Sequence, residues 1–413
     1  MDCGHAGASL RRICPHLLAG GDPKAVLRFT GRGAETQLVC AACASAPAAA
    51  SPVIVEACAE CDSRIGELEP ERVMGRPVPI ARDASLSWIE ETITLDERPS
   101  SPVVAVAPAT RQGRAWIALT AGGVVGQLDL HRRQLRPLGA VPEGTLAMGE
   151  LALEVSADGR FAAVVNARGQ HGFVLDLERG TTALALDRGD YHEDVSSFPV
   201  AFTEHRERTL VVHGTAWNRL DISEAETGRL LTARDLESEG AHHLDYFHSA
   251  LVVSPGGTWI AEDGWVWQPA GVPRLWSLAR WLEGNVWESE DGPSCRSLAW
   301  RDFWDSPLCW LDDSRLGVGG SDGPGGAPLD LLHVVDAASG AVGEPMACPS
   351  GNLAAESGRL YVWGVTDGLS VIEIASGERL LHLPEVKPTA YRGGGEFLTL
   401  APDGSFRVGR VRG

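Results

Sequence analysis

From Trp88 to the end of the chain, short apolar runs alternate with clusters of Gly, Asp, Ser and Pro. No long stretch has the 3.6-residue apolar repeat of an amphipathic helix. In the clearest copy of the pattern, apolar runs over 151–155 and 161–165 flank an Asp158-Gly159 turn, and two more runs flank Gly180. Apolar runs of this length around Asp-Gly and Gly turns predict four consecutive antiparallel strands.

This four-strand unit recurs about every 40 to 50 residues, a period typical of four-stranded propeller blades. Six units are predicted, at 102–142, 149–190, 199–236, 242–285, 296–347 and 351–385. A seventh, over 388–413, lacks its outermost strand. A segment at 91–95 is expected to supply that strand and so close the ring between the two ends of the domain, which removes exposed sheet edges.

The turns of these units carry a family resemblance. Hairpin turns at 254–257, 312–314, 356–358 and 402–404, and later turns at 226–228, 336–340 and 373–377, resemble those of WD40-like and quinoprotein-like β-propellers. The Gly-His and Trp-Asp dipeptides of true WD40 repeats are absent. The resemblance covers roughly residues 100 to 410, implies a mostly β propeller fold and indicates the fold more firmly than the function. Six units and a closed seventh predict a seven-bladed β-propeller over 88–413.

Before residue 62 the chain contains Cys and His in four short pairs, a pattern typical of zinc modules. The predicted ligands are Cys3 and His5, Cys14 and His16, Cys40 and Cys43, and Cys58 and Cys61. Eight ligands fill two tetrahedral sites completely, so both zinc ions are expected to be structural. Few apolar residues are available here, and the metal is expected to replace a hydrophobic core.

Two ways of sharing these ligands remain open, and each resembles a known finger. Interleaved pairs would resemble the cross-brace of RING-like fingers, whereas nested pairs would resemble a treble clef built on Cys14, His16, Cys40 and Cys43. The order of pairs departs from the RING order, which puts ubiquitin-type transfer in doubt. Between the second and third pairs, 26–33 and 36–39 predict a β-hairpin. The predicted divisions are a zinc-binding module at 1–68, a linker at 69–87 and the propeller.

Charge and composition limit the partners. The formal net charge is −19, and residues 1–85 carry nine basic and ten acidic side chains, so nearly all of the negative charge lies in the propeller. Such a surface is expected to repel nucleic acid and anionic membranes. The clustered Cys and the lack of a signal sequence or membrane span predict a cytoplasmic protein. Lys occurs only at Lys24 and Lys387, which is typical of a high-GC bacterial genome.

Nine of the thirteen Trp residues fall between Trp259 and Trp310, a density that suggests either thick packing or a groove for a peptide or small molecule. The candidates are Trp265, Trp267, Trp276, Trp281, Trp287, Trp300, Trp304 and Trp310. Of these, Trp281, Trp287 and Trp304 lie in polar, loop-like stretches. Packing between blades four and five is the favoured interpretation, and these three are the members predicted to be exposed if a ligand or partner surface is present.

Two polar segments are weaker candidates for chemistry. In 242–248, a strand would place His242 and His248 on one face, with His243 and Asp245 on the other. Hydrogen bonding at the surface or between blades is the favoured interpretation. The acidic loop over 187–194 is interpreted as solvated, because it lacks the spacing of a calcium loop. No phosphate-binding or nucleophile motif lies in the required strand–helix context.

These patterns favour a bacterial scaffold or adaptor, in which the zinc module and the acidic propeller each dock a protein partner. A second hypothesis is a RING-like E3 ligase or transferase adaptor, with the propeller as substrate receptor. A third is an enzyme or ligand-binding protein that uses the propeller channel or the Trp-rich groove. No catalytic residues are identified for it.

Overall fold

The computed structural model describes residues 86–413 except 110–114, 148–149, 236–238, 268–269 and 323–327, and the backbone of five earlier strands. Those strands are β1 Leu10–Ile13, β2 Ala25–Phe29, β3 Thr36–Cys40, β4 Val55–Cys58 and β5 Pro70–Met74. The predicted hairpin is present, because β2 pairs antiparallel with β3. Strand β1 lies parallel to β3 and antiparallel to β4, and β5 lies parallel to β2.

The rest of the chain forms seven sheets arranged as blades. Blade one contains β7 Val103–Pro108, β8 Trp116–Thr120, β9 Val124–Asp129 and β10 Gln134–Ala140. Blade two contains β11 Leu151–Val155, β12 Phe161–Asn166, β13 His171–Asp176 and β14 Thr181–Asp187. Blade three contains β15 Val200–His205, β16 Arg208–Ala216 and β17 Arg219–Glu224. The helix α1 Glu239–His242 follows blade three.

Blade four contains β18 Leu251–Val253, β19 Trp259–Val266, β20 Ala270–Ser277 and β21 Arg296–Ser297, with α2 Leu278–Glu283 before its last strand. Blade five contains β22 Leu308–Trp310, β23 Arg315–Asp322, β24 Pro328–Asp336 and β25 Met346–Ala347. Blade six contains β26 Asn352–Glu356, β27 Arg359–Gly364, β28 Gly368–Glu373 and β29 Arg379–Leu383. Blade seven contains β30 Ala390–Gly393, β31 Glu396–Leu400, β32 Phe406–Arg412 and β6 Ser87–Ile93. The predicted seven-bladed propeller is therefore confirmed.

Neighbouring blades pack face to face around the ring. A separate cluster of buried apolar side chains lies between each pair of neighbours, including blades seven and one. Both faces of an inner strand are covered, so every residue of β8 and of β12 is buried. The outermost strand β14 alternates less strictly and is partly exposed. The apolar runs of the sequence thus mark strands sandwiched between two sheets.

The ring closes through its outermost strand in blade seven. Strand β6 pairs antiparallel with β32, from Ser87 opposite Arg412 to Ile93 opposite Phe406. The sequence places this strand at 91–95, whereas the observed strand begins at Ser87. Pairing between the two ends of the propeller removes the free edge that an open blade seven would expose.

The predicted boundary between blades four and five was wrong. The segment 242–250 contains no strand, and the residues at 296–297 form the last strand of blade four rather than the start of blade five. The reason is an insertion over 278–295, which separates the third strand of blade four from its fourth and interrupts the repeat. This insertion carries α2 and several buried charged side chains.

The N-terminal strands join the propeller at blade five. Strand β5 lies within the stretch predicted as a linker, 69–87, and it pairs in parallel with β24 at Val73 and Leu329. The short β25 pairs with β24 only at Leu331 and Leu332. The start of β24 is therefore left unpaired by blade five on that side, and β5 pairs there. The five N-terminal strands and blade five therefore form one continuous sheet.

Candidate functional site

One face of the propeller carries the connections between blades. Because the strands of a blade alternate in direction, these connections leave from the same face as the turns between second and third strands. We call this side the loop face. The connections over 188–199, 241–250 and 298–307 lie next to one another on it, between blades two and five.

Hydrogen bonds tie these three connections together. The Ser196 hydroxyl donates to the carbonyl oxygen of His248 at 2.9 Å, and the Trp304 indole N–H donates to the carbonyl oxygen of Val195 at 3.0 Å. The Asp305 carboxylate accepts a short hydrogen bond from the Ser249 hydroxyl and pairs with Arg168 at 3.1 Å. The loop face is thus a cross-linked surface rather than a set of independent loops.

Arg188 organises the first of these connections. Its guanidinium is buried and donates to the carbonyl oxygens of Gly169 at 2.8 Å, Ser196 at 3.0 Å and Ser197 at 3.1 Å. Burial lowers the pKa of Arg188 to about 10. Its donors replace the missing strand hydrogen bonds of a looped backbone, which fixes the path of the chain on either side of Tyr191.

Four aromatic rings form a stack across the loop face. Tyr191, Phe247, Trp265 and Trp304 follow one another with ring centroids 5.8, 4.2 and 5.3 Å apart and interplanar angles of 17°, 12° and 22°. Each ring comes from a different connection or strand, and we call the set the aromatic stack. Offset stacking adds to the free energy of burial and fixes the ring positions.

Two glycines allow the connections to approach the blade closely enough for this stack. A Cβ atom on Gly264 would lie 2.2 Å from the carbonyl oxygen of Phe247, and one on Gly271 would lie 1.8 Å from that of Phe303. The Tyr246 hydroxyl accepts from the Gly264 N–H at 2.8 Å and donates to the carbonyl oxygen of Val272 at 2.9 Å. Glycine is therefore required where the backbones cross.

Trp217 and Trp267 flank the stack. Trp217 lies 5.2 Å from Tyr191 and 4.5 Å from Phe247, whereas Trp267 is nearly perpendicular to Phe247 and stands 4.7 Å from His192. Phe247 and Trp265 are buried, but Tyr191 and Trp267 are each 45% exposed. We call the set of Tyr191, His192, Trp217 and Trp267 the aromatic surface.

Backbone conformation also distinguishes this region. His192 and Asp305 adopt positive φ angles of 52° and 56°, and both lie on the loop face. Non-glycine residues rarely adopt this conformation, which costs free energy that the surrounding contacts must offset. For Asp305, those contacts include the Ser249 and Arg168 side chains described above.

Buried ionisable side chains lie close to Phe247 and Trp265 along the chain. His248 and Glu262 are fully buried and 2.9 Å apart, and Arg301 pairs with Asp263 at 2.5 Å. Burial raises the pKa of Asp263 to about 6, although Arg301 and the Ser306 N–H act in the opposite direction. The Asp263 carboxylate accepts from the Ser306 N–H at 2.6 Å, so these charges hold the 298–307 connection against β19.

The three predicted surface tryptophans differ from the prediction. Trp281 is 1% exposed, packs at 6.0 Å against Trp276 and donates to the carbonyl oxygen of Val286 at 3.2 Å. The prediction that Trp281 is exposed was wrong, because α2 turns its apolar face into the interface of blades three and four. Trp304 is half-buried within the stack.

Trp287 is also half-buried, and it lies apart from the aromatic surface. It stacks on His242 at 4.4 Å, and the guanidinium of Arg234 lies 4.7 Å from its ring centroid. Arg234 itself is buried between Asp221 and Glu290, at 3.1 and 2.8 Å. These contacts are typical of packing between a blade and its insertion.

The predicted strand at 242–248 does not exist, because α1 ends at His242 and irregular backbone follows. His242 pairs with Asp291 at 2.9 Å and His248 with Glu262, which agrees with the favoured hydrogen-bonding interpretation. Among the described residues, no group of three or more side chains is arranged to hold a metal ion.

Most of the predicted zinc ligands lie outside the described residues. Cys40 and Cys58 are the last residues of β3 and β4, where the backbone alone is described. The other six are Cys3, His5, Cys14, His16, Cys43 and Cys61. The zinc sites therefore stay a prediction.

Sequence reasoning missed most of the aromatic surface. The density of Trp identified Trp267 but not its exposure, and Tyr191, His192 and Trp217 come from connections of other blades. No spacing in the sequence links residues 191, 217 and 267. A positive-φ residue such as His192 also has no reliable sequence signal.

Two clefts lined by described residues lie elsewhere. One, of about 250 Å³, opens on the perimeter between blades four and five and contains Trp300, which is 61% exposed, together with Val318 and His333. A wider cleft of about 810 Å³ lies between blades seven and one, where Glu396 pairs with both Arg392 and Arg410. Neither cleft includes a residue of the aromatic surface.

Comparison with known proteins supports the fold alone. No protein-family model matches the chain, and no curated protein matches it. The computationally designed Ika8 protein is similar in structure, with a TM-score of 0.50 and 16% identity over 77% of this chain and 86% of that one. BamB from Moraxella catarrhalis gives a TM-score of 0.48 and 13% identity over 78% of this chain and 98% of BamB. The chain is a seven-bladed β-propeller whose blade five continues into an N-terminal sheet.

Proposed function

We propose that this protein is a cytoplasmic scaffold or adaptor whose propeller docks a protein partner on the aromatic surface. The observation that carries the proposal is the exposure of Tyr191 and Trp267, 45% each, at the edge of a buried aromatic stack. Tyr and Trp dominate the binding energy of protein interfaces, because they bury large areas at a small cost in side-chain entropy.

Rigidity supports this role. The stack, the buried Arg188 and the bonds of Asp305 hold the exposed rings before a partner arrives. A preordered surface loses little conformational entropy on binding, so more of the contact energy appears as affinity. Docking of this kind requires no catalytic group from the propeller.

Cys295, Cys309 and Cys348 are free thiols in the described part of the chain. Burial raises the pKa of Cys295 to about 11 and that of Cys309 to about 12, which keeps them protonated and unreactive. No helix in the described part has the length and apolar character needed to cross a bilayer.

Binding at the aromatic surface is tested by comparing two variants in affinity capture. The Tyr191→Ala/Trp267→Ala variant removes the exposed rings, and Trp300→Ala removes an exposed Trp on the perimeter. Each captured protein is then purified and titrated against both variants by calorimetry. Relative to the unaltered chain, we expect the double variant to lose at least about 30-fold in affinity for the partner, which is the effect of a typical hot spot. We expect no change for Trp300→Ala. A purified partner that binds both variants equally would overturn the proposal.

The N-terminal region is proposed to hold two structural zinc ions in nested pairs and to dock a second partner. Strands β1 and β3 are parallel, with Ile13 opposite Leu38, so their C-terminal ends lie at the same end of the sheet. Cys14 follows β1 directly, and Cys40 ends β3. Strand β4 is antiparallel to β1, and its last residue, Cys58, lies opposite Leu10 at the other end of the sheet. This topology favours one set from Cys14, His16, Cys40 and Cys43 and another from Cys3, His5, Cys58 and Cys61.

Two double variants distinguish the pairings by zinc content of the purified full chain. Cys14→Ser/Cys40→Ser damages one nested site but both interleaved sites, whereas Cys14→Ser/Cys58→Ser does the reverse. We expect about two zinc ions in the unaltered chain, about one in the first variant and none in the second. Cys309→Ser, in the propeller, is the control and should keep both. The opposite result would indicate interleaved, RING-like pairs, and no zinc in the unaltered chain would overturn the zinc proposal.

A further inference from the structure

Tyr191 and Trp267 form two walls of a corner. Their ring centroids are 6.4 Å apart and their planes meet at 71°. The inner face of Tyr191 stacks on Phe247, and Trp267 stands upright against His192 at 89°. His192 also lies 4.6 Å from Tyr191, at 84°. The ring faces of Tyr191 and Trp267 that His192 and Phe247 leave uncovered are offered to a cation within about 6 Å, the range of cation–π attraction.

Exposed carboxylates surround this corner along the chain. Asp190 precedes Tyr191, Asp194 follows His192 by two residues, and Asp245 precedes Phe247 by two residues. All three are exposed. In a chain of net charge −19, these groups place three exposed negative charges within two residues of the rings along the chain.

The nearby arginines are held by other groups. The Arg188 guanidinium is buried and donates to backbone carbonyls, and Arg168 pairs with Asp305 at 3.1 Å. Neither cation is positioned to cover the outer faces of Tyr191 and Trp267. The surface therefore combines exposed aromatic faces with negative charge that its own arginines do not neutralise.

From this geometry we infer that the aromatic surface binds an arginine or lysine side chain in a basic segment of the partner protein. The inference rests on the proposed docking function and adds the chemistry of the partner. The cationic group lies over the faces of Tyr191 and Trp267, and Asp190, Asp194 and Asp245 attract the flanking positive charges. A nucleic acid or an anionic membrane lacks the charge that this surface selects.

The test uses two synthetic peptides that differ only in charge, and the full-length protein. The first is an acetylated, amidated Gly-Arg-Gly-Arg-Gly peptide, and the second carries citrulline, a neutral isostere, in place of each arginine. Binding is followed by isothermal titration calorimetry at low and at physiological salt. We expect the arginine peptide to bind at least about tenfold more tightly than the citrulline peptide, since desolvated cation–π contacts contribute about 1–2 kcal/mol.

Variants connect this preference to the corner. Trp267→Ala should abolish the preference for arginine, whereas Trp267→Phe should keep part of it, because a smaller ring still presents a face. Replacing Asp190, Asp194 and Asp245 by Asn should weaken binding several-fold and flatten its salt dependence. The matched control replaces the exposed Glu97, Glu143 and Glu385 by Gln and should change neither. Unchanged thermal midpoints exclude misfolding as the cause.

The outcomes separate this inference from the docking proposal. If the citrulline peptide binds as tightly as the arginine peptide, or if neither binds, the cationic preference is wrong. Partner capture that still depends on Tyr191 and Trp267 would then leave the docking proposal intact. An arginine preference that survives Trp267→Ala would also overturn the inference, because it would place the cation elsewhere.

Discussion

Blades two and four have the same strand topology but stabilise it with different side chains. In blade two, β11 to β14 follow one another through short turns, and the interfaces on both sides are apolar. Its main ion pairs join Arg160 to Asp176, whose carboxylate is buried at the end of β13, and to Glu226, which is 46% exposed. In blade four, β19 carries the buried Glu262 and Asp263, and an 18-residue insertion over 278–295 separates the last two strands.

The difference shows which blade positions the aromatic surface. An apolar blade requires only apolar strands separated by turns, because the neighbouring blades bury both of its faces. Blade four instead contains buried charges that hydrogen-bond the connections next to it and position the aromatic surface. Buried polar groups stabilise little in themselves, but directional contacts such as that of Asp263 with the Ser306 N–H favour one arrangement of the connections.

The largest expected contrast comes from removing one member of an ion pair in each blade. Asp263→Ala leaves the Arg301 guanidinium buried without its carboxylate, and we expect a loss of about 3–5 kcal/mol in the free energy of unfolding. Glu226→Ala removes a carboxylate that is 46% exposed and screened by solvent, and we expect a several-fold smaller loss. Urea denaturation of both variants measures the difference. Equal losses would break the comparison between the blades.

The second contrast concerns pH. Burial raises the pKa of Asp263 to about 6 from 3.8, so the folded protein binds this proton more tightly than the unfolded chain does. The contribution of Asp263 to the free energy of unfolding therefore falls as pH rises from about 4 to about 6, by about 3 kcal/mol. The stability of the unaltered chain relative to Asp263→Asn should fall by this amount over that window. A pH-independent difference between the two proteins would show that Asp263 keeps its ordinary pKa.

The smallest contrast tests the close approach of a connection to blade four. Gly271→Ala places a Cβ atom 1.8 Å from the carbonyl oxygen of Phe303, so the backbone must shift, at a cost of about 1–3 kcal/mol. Gly240→Ala, in α1, meets no atom within 4 Å and serves as the control. Thermal denaturation should separate the two variants. If Gly271→Ala were as stable as the unaltered chain, the 298–307 connection would have to be more adaptable than its contacts indicate.

Prediction from the sequence succeeded where local signals repeat. Asp158-Gly159 and Gly180 mark turns with positive φ at both glycines, and the four strands of blade two lie where the apolar runs indicated. It failed in blade four, because the insertion lengthens the repeat and because Glu262 and Asp263 interrupt a buried strand. Trp281 was placed on the surface because its sequence neighbours are polar, whereas α2 turns Leu278 and Trp281 inward and leaves Arg280 and Glu283 exposed.

By itself, the sequence determined the blade repeat, the number of blades and the acidic character of the propeller, because each of these depends on local pattern or on total charge. Only the tertiary structure decided which tryptophans are exposed and that Tyr191, Trp217 and Trp267 lie together. Those residues come from the connections and turns of different blades, so their contacts depend on how the blades pack around the ring. Long-range packing of this kind leaves no periodic signal in a single chain.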